Sequence, residues 1–218
     1  MNHTRNPFAR FFCTLVLIYL SSVSCSLIEK RVSEKDVSFA QVAEARSFLE
    51  SLETHLQIIT DILEKNKALA IQSKHGIYAE EDRNQLDLQF QELLKKICRS
   101  RESAHFQKKA LLDTENSSWP RSMSLQITPY STSIPFSLPE LKPEKFGVLS
   151  CSLKNFQSRL NVKTAISANR SIGFIDYTLS ILSFERSRIV GLREKLEPIE
   201  RLQESLYDSF YESLSNAQ

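Results

Sequence analysis

A long helix is predicted by the spacing of apolar residues between Val37 and His75. In this stretch, apolar residues recur at alternating steps of three and four, which places their side chains along one side of an α-helix. At about 1.5 Å per residue, such a helix would be roughly 55–60 Å long. A continuous apolar side requires partner helices, so the stretch predicts a rod-like bundle. The residues of this side, the inner seam, are Val42, Ala45, Leu49, Leu52, Leu56, Ile59, Leu63, Asn66 and Ala70.

Two further helices are predicted from the same spacing. Gly76 is expected to end the first helix, because glycine tolerates a left-handed cap. A second helix follows over Glu80–Ser100, with acidic residues in its first turn, where the helix dipole favours them. A third is predicted over Thr164–Ser215, with Pro198 expected to kink or interrupt it. These helices predict a mainly α fold, an elongated antiparallel bundle or coiled coil.

The part between the second and third helices has a different character. Five of the seven prolines fall between positions 120 and 143, which excludes a long helix there. Residues favourable to strands at Ser124–Thr128 and Ser133–Leu138 flank the turn-like segment Pro129–Thr132. We therefore expect a small β-hairpin within an insertion over 101–160.

The first residues have the pattern of a secretory signal. Two arginines precede the apolar run Phe11–Leu20, and small residues follow it. The run is too short for a membrane-spanning helix, which needs about 20 apolar residues. We expect a signal peptide over 1–24 and a linker over 25–36. Cys25, directly after the expected cleavage site, is an alternative site of lipid modification.

Other candidate chemistry is sparse. Cys98 and Cys151 lie in the folded part and could form a disulfide in an exported protein, although their spacing does not establish it. No Cys-x-x-Cys or His-x-x-x-His spacing suggests a metal site. The net charge is only +2, and no basic surface for nucleic acid is indicated. Without a nucleophile–base pair or phosphate loop, we expect neither an enzyme nor a cofactor.

Three sequence blocks resemble the flagellin family. ALAIQSKHGIYAEEDR, at Ala68–Arg83, is similar to the family signature E-L-A-x-Q-S-A-N-G-x-Y-x-x-E-D-R. The block Val37–Ala45 lies upstream of it, as in flagellins, and Ile175–Glu197 resembles the C-terminal segment of the family. The resemblance is to core flagellins of spirochaete-type periplasmic flagella. One departure is Gln107-Lys108, where the family has Asn-Gly after a phenylalanine.

The resemblance implies a flagellin-like rod domain over 37–218 and a structural role. The expected function is that of a component or accessory of a bacterial periplasmic flagellar filament involved in motility, with flagellin or other filament proteins as partners. The signal-like segment implies export to the periplasm, with membrane attachment only through a lipid on Cys25. The alternative is an exported coiled-coil interaction protein or lipoprotein built on the flagellin rod scaffold. Because long terminal helices like those of flagellins are not recognised, we expect a monomer or small oligomers.

The resemblance also places a subunit contact around the turn after the first long helix. Apolar residues at a turn either pack beneath it or meet a partner. An alternative for Tyr78 is that it covers the end of the bundle. The candidate contact residues are Gln72, Ser73, Ile77, Tyr78, Asp82 and Arg83, together with Arg186.

Overall fold

The computed structural model describes residues 42–112, 122–126, 133–152 and 155–215. These residues form three long helices, with short antiparallel strand pairs between the second and the third. The expected signal peptide, the linker and Cys25 lie outside the described residues. The helices are α1 over 42–74, α2 over Glu80–Ser103 and α3 over Ala165–Ser215.

Helix α1 buries the predicted inner seam. All nine seam residues are buried, including the amide side chain of Asn66. Helix α3 runs antiparallel beside α1: Arg46 near the start of α1 pairs with Glu200, whereas Lys67 near its end pairs with Asp176. The elongated antiparallel bundle expected from the sequence is therefore confirmed.

Helix α2 continues three residues beyond its predicted end, to Ser103. Its buried side includes Leu86, Phe90, Leu94 and Ile97, as the periodicity predicts. None of the helices in the described ranges is both long and apolar enough to cross a membrane.

Helix α3 is continuous through Pro198, so of the expected kink or interruption, the interruption does not occur. Pro198 lies on the exposed side of the helix. The backbone carbonyl of Glu194, which loses its hydrogen bond to the proline nitrogen, therefore faces water. The buried residues of α3 end at Leu196, and the helix beyond this point is largely exposed.

Within the ranges that the structure describes, the strands form three antiparallel pairs. The predicted hairpin is present: its first strand already includes Ser122, two residues before the expected start, and its second strand ends one residue earlier than expected, at Ser137. Its turn, Pro129–Thr132, lies outside the described residues. Two further pairs were not predicted from the sequence. The pairs are β1 (His105–Phe106) with β2 (Lys109–Ala110), β3 (Ser122–Gln126) with β4 (Ser133–Ser137), and β5 (Val148–Ser150) with β6 (Gln157–Ser158).

The predicted hairpin is held against both α1 and α3. Phe136 on β4 is buried, and its ring centroid lies 5.9 Å from that of Phe48 on α1. On the α3 side, the Arg188 guanidinium lies 5.2 Å from the Phe136 ring centroid and donates a hydrogen bond of 2.7 Å to the Ser137 hydroxyl.

A disulfide joins α2 to the segment that follows β5. Cys98 and Cys151 are bonded, with their Cα atoms 5.5 Å apart. This finding settles the pairing that spacing left open. The bond attaches the strand-rich insertion to the middle of the bundle.

Candidate subunit interface

The turn between α1 and α2 is held by hydrogen bonds from residues of the two helices that it joins. Ser73, in the last turn of α1, is buried, and its hydroxyl donates to the backbone carbonyl of Val162. The Arg83 guanidinium on α2 donates to the carbonyls of Ser73 (3.1 Å) and His75 (3.3 Å). These carbonyls end α1 and lack helical partners, so Arg83 supplies the donors that the helix end requires. Ser73 and Arg83 therefore hold this end of the bundle together.

Three more of the candidate residues lie at the same turn. The Gln72 side chain donates a hydrogen bond of 2.9 Å to the Tyr78 hydroxyl. The Asp82 carboxylate accepts the Ala79 backbone N–H at 3.3 Å, which caps the start of α2. Tyr78 itself is half-buried.

Ile77 is different from its neighbours at the turn. Its side chain is 87% exposed, the highest value among the large apolar residues that the structure describes. The adjacent Gly76 has open space around it. Removal of so large an apolar side chain from water would be favourable on contact with a partner. Among the candidate residues, Ile77 is thus the one that the bundle leaves uncovered.

A second exposed residue at this end was missed by the sequence reasoning. Ile166, in the first turn of α3, is 70% exposed. It lies at the turn end of the bundle, because Ser73 reaches Val162 only a few residues before it. The sequence pattern could have indicated this exposure, since Ile166 falls outside the spacing of the residues that α3 buries. We define the end surface as Ile77 and Ile166 with the turn that carries Ile77.

Arg186 is not part of the end surface. It lies on α3 21 residues after Ala165, which corresponds to about 30 Å along the helix axis. Its side chain is half-buried beside the middle of the bundle. The structure therefore brings together six of the seven candidate residues.

An apolar groove of about 560 Å³ lies between α1 and α2, away from the turn. Leu88 on its rim is 61% exposed. The Lys95 ammonium, hydrogen-bonded at 2.6 Å, holds the pKa of the Glu92 carboxyl at this groove below its usual range. The groove is lined by Lys65, Ala68, Leu69, Leu88, Gln89, Glu92, Leu93 and Lys96.

No protein-family model matches the chain. Flagellin FlaB1 of Treponema pallidum (strain Nichols) is 29% identical to it over 160 residues, which cover 69% of this chain and 54% of that protein. The flagellar filament core protein flaB2 of Brachyspira hyodysenteriae is 27% identical over 155 residues, with the same coverage. The chain is flagellin-like. It spans about half the length of these curated relatives.

Solved structures show the same fold at lower identity. The crystal structure of Bacillus cereus flagellin has a TM-score of 0.62 and 20% identity, covering 73% of this chain and 86% of that one. A Vibrio parahaemolyticus structure, described as a flagellar hook-associated protein, has a TM-score of 0.68 and 13% identity. It covers 91% of this chain and 97% of that one. The flagellin-like helical bundle expected from the sequence is confirmed.

Proposed function

We propose that this protein is a structural component or accessory of a bacterial periplasmic flagellar filament and serves motility. The observation that carries the proposal is the similarity, over 69% of the chain, to proteins named as flagellins and filament core proteins. The elongated antiparallel bundle agrees with a role in which the protein supplies surfaces rather than a reaction centre. Its partners would be flagellin or other filament proteins, which it would contact through its helices.

The end surface is the contact that we propose for such a partner. Its backbone is firmly held, because Ser73 and Arg83 satisfy the carbonyls of the turn and of the segment before α3. On this support, Ile77 and Ile166 are presented to solvent. A preformed apolar surface loses little conformational freedom on binding, which favours association.

We further propose that the protein acts in the periplasm after export by a signal over 1–24. The disulfide between Cys98 and Cys151 supports this location, because disulfides persist in oxidising compartments. Membrane attachment would require a lipid on Cys25.

The experiment measures how much of the protein co-purifies with flagellar filaments from cells that express wild type or variants. Ile77→Ser and Ile166→Ser, alone and combined, remove exposed side chains without opening the core. We expect the double variant to lose most of its association with filaments while its melting temperature stays within a few degrees. Leu88→Ser is the matched control, because Leu88 is also exposed but lies at the α1–α2 groove; it should bind as wild type does.

Asp82 and Arg83 are left unchanged in this test. The Asp82 carboxylate caps α2 and Arg83 holds the end of α1, so replacing either would perturb the fold as well as the surface. Wild-type protein that never co-purifies with filaments would refute the proposed function and favour the exported coiled-coil interaction protein or lipoprotein. If wild type and the double variant co-purify with filaments equally well, only the assignment of the end surface as the contact would be refuted.

A further inference from the structure

Helix α3 carries a second regular row of residues on its solvent side. The row advances along the helix in strictly alternating steps of four and three, as the inner seam of α1 does, but it faces away from the bundle. Gly191 is half-buried and the other nine residues are exposed. The residues of this outer row are Ile166, Arg170, Gly173, Tyr177, Ser180, Phe184, Ser187, Gly191, Glu194 and Pro198.

Two large aromatic side chains lie in the middle of the outer row. Tyr177 is 65% exposed and Phe184 is 67% exposed, although both belong to a helix that has an extensive buried side. Aromatic residues such as Tyr and Phe are enriched at contacts between proteins. Their position in the outer row indicates that another helix covers them.

No contact within the chain explains why Gly173 and Gly191 of the outer row are glycines. A glycine inside a helix destabilises it relative to alanine. A Cβ atom added to Gly173 or Gly191 would meet nothing within 4 Å. The space that these glycines leave open therefore lies on the outside of α3, where a second helix could approach closely.

The order of residues along the row decides which helix fits. Positions at equal distances from the level of Leu182, midway along the row, include two glycines and two pairs of one aromatic residue with one serine. A second α3 in antiparallel orientation about this midpoint would set Gly173 against Gly191. It would set each aromatic ring against a serine, Tyr177 against Ser187 and Phe184 against Ser180.

The charges of the outer row fit the same arrangement. In the antiparallel pair, Arg170 of each copy faces Glu194 of the other. Within the described part of this chain, neither side chain has an ion-pair partner. A parallel pair would instead place Arg170 against Arg170 and Tyr177 against Tyr177, which combines like charges with colliding rings.

We propose that the outer row is a self-association surface, through which two copies of this chain form an antiparallel, two-fold symmetric α3–α3 dimer. Each pair of facing residues then occurs twice, so the contact is self-complementary and closes on itself. A closed contact of this kind does not propagate a filament. The proposal therefore concerns a different contact from the filament contact, with Ile166 as the residue that the two surfaces share, and does not rest on the proposed function.

Sedimentation equilibrium of the full chain tests the dimer. We expect a concentration-dependent monomer–dimer equilibrium for wild type. Tyr177→Lys with Phe184→Lys should raise the dissociation constant by at least about tenfold, because both central anchors are lost. Leu88→Lys, the control, changes an equally exposed apolar residue on α2 and should leave the constant unchanged. A wild-type chain that stays monomeric up to about 100 μM, far above the Kd of a stable dimer, would overturn the proposal. A dimer that is lost in Leu88→Lys but kept in the double lysine variant would also overturn it.

Charge-reversal variants distinguish a specific contact from non-specific association. Arg170→Glu and Glu194→Arg should each weaken the dimer several-fold, because each places like charges together at both ends. The double reversal should restore the wild-type constant to within about threefold, since the facing charges are again opposite. A double variant weaker than either single variant would contradict the pairing.

Cysteine cross-linking under a mild oxidant determines the orientation. Ser183 lies beside the midpoint, so a cysteine there comes close to its own copy in the antiparallel dimer. Ser187 faces Tyr177 of the other copy, about 15 Å along the axis from the second Ser187. We expect efficient cross-linking of Ser183→Cys and little of Ser187→Cys. The reverse result would indicate a parallel dimer and overturn the proposal.

Discussion

The Asp87 carboxylate on α2 accepts a hydrogen bond of 2.8 Å from the backbone N–H of Val162, in the segment that leads into α3. Both residues are buried. Gln91, one turn later on α2, donates to the Leu160 carbonyl at 2.9 Å. Val162 also accepts the Ser73 hydroxyl through its carbonyl, so this short segment is connected to α1 and to α2. The start of α3 is positioned by these polar contacts as well as by apolar packing.

Asp87→Ala should lower the free energy of unfolding by about 1.5–3 kcal/mol, because the Val162 N–H would remain buried without its charged acceptor. For a domain of this size, this corresponds to a melting temperature roughly 3–12 °C lower. Asp208→Ala is the control, since Asp208 is exposed near the end of α3. Thermal unfolding followed by circular dichroism measures both, and equal melting temperatures would contradict the assigned role of Asp87.

The turn between β1 and β2 predicts a stabilising substitution. Gln107 and Lys108 both have positive φ, 49° and 65°, although neither is glycine. A two-residue hairpin turn of this kind favours Asn-Gly, the pair that flagellins have at this position. Lys108→Gly should raise the free energy of unfolding by about 0.5–1 kcal/mol by relieving the left-handed backbone.

Gln107 is retained in this variant because its side chain donates to Glu44. Lys108→Ala provides the comparison: it also removes the lysine but keeps the Cβ atom, so it should give no gain. If both substitutions stabilise the protein equally in chemical denaturation, removal of the lysine rather than relief of the turn would be the cause.

The inner seam predicts a large cost for Leu56→Ala. Leu56 is fully buried, so the substitution should cost about 2–5 kcal/mol of unfolding free energy. Glu64→Ala, on the exposed side of the same helix, should stay within about 0.5 kcal/mol of wild type. A urea unfolding series measures the two, and a cost below about 1 kcal/mol for Leu56→Ala would show that the seam is not the core.

Glu53, which also lies on α1, is not a suitable neutral control. Its carboxylate pairs with the Arg193 guanidinium at 2.5 Å and thereby joins α1 to α3. Partly exposed pairs contribute about 0.2–1 kcal/mol, so Glu53→Ala should have a small but measurable effect.

Periodicity accounts for what could be predicted from the sequence. In α1, the regular spacing from Val42 to Ala70 determines which side is buried, and the structure buries every residue of it. In contrast, β1–β2 and β5–β6 contain strands of two or three residues, which are too short to show a period. Tertiary contacts hold these short strands in place.

The candidate site was predictable only in part. The similarity to the flagellin signature located the turn, but spacing could not distinguish Ser73, which is buried, from Ile77, which is exposed. Arg186 was misplaced because a resemblance aligns positions in the sequence and says little about distances along the folded bundle. Ile166 was missed because it reaches the end surface from a helix that begins 88 residues after Ile77.

The disulfide between Cys98 and Cys151 should contribute about 2–5 kcal/mol, because it closes a long loop in the unfolded chain. Cys98→Ala, Cys151→Ala and the double variant should all be destabilised by similar amounts, since each change removes the same bond. Denaturation without reductant measures these costs, and additive effects of the two single substitutions would contradict the bond.

Immunogold electron microscopy of periplasmic flagella tests the central claim most directly. The account predicts that antibody against this protein labels isolated filaments from wild-type cells, and that labelling falls when the cells carry Ile77→Ser with Ile166→Ser. Label found throughout the periplasm or on membranes, with filaments unlabelled, would contradict a role in the filament.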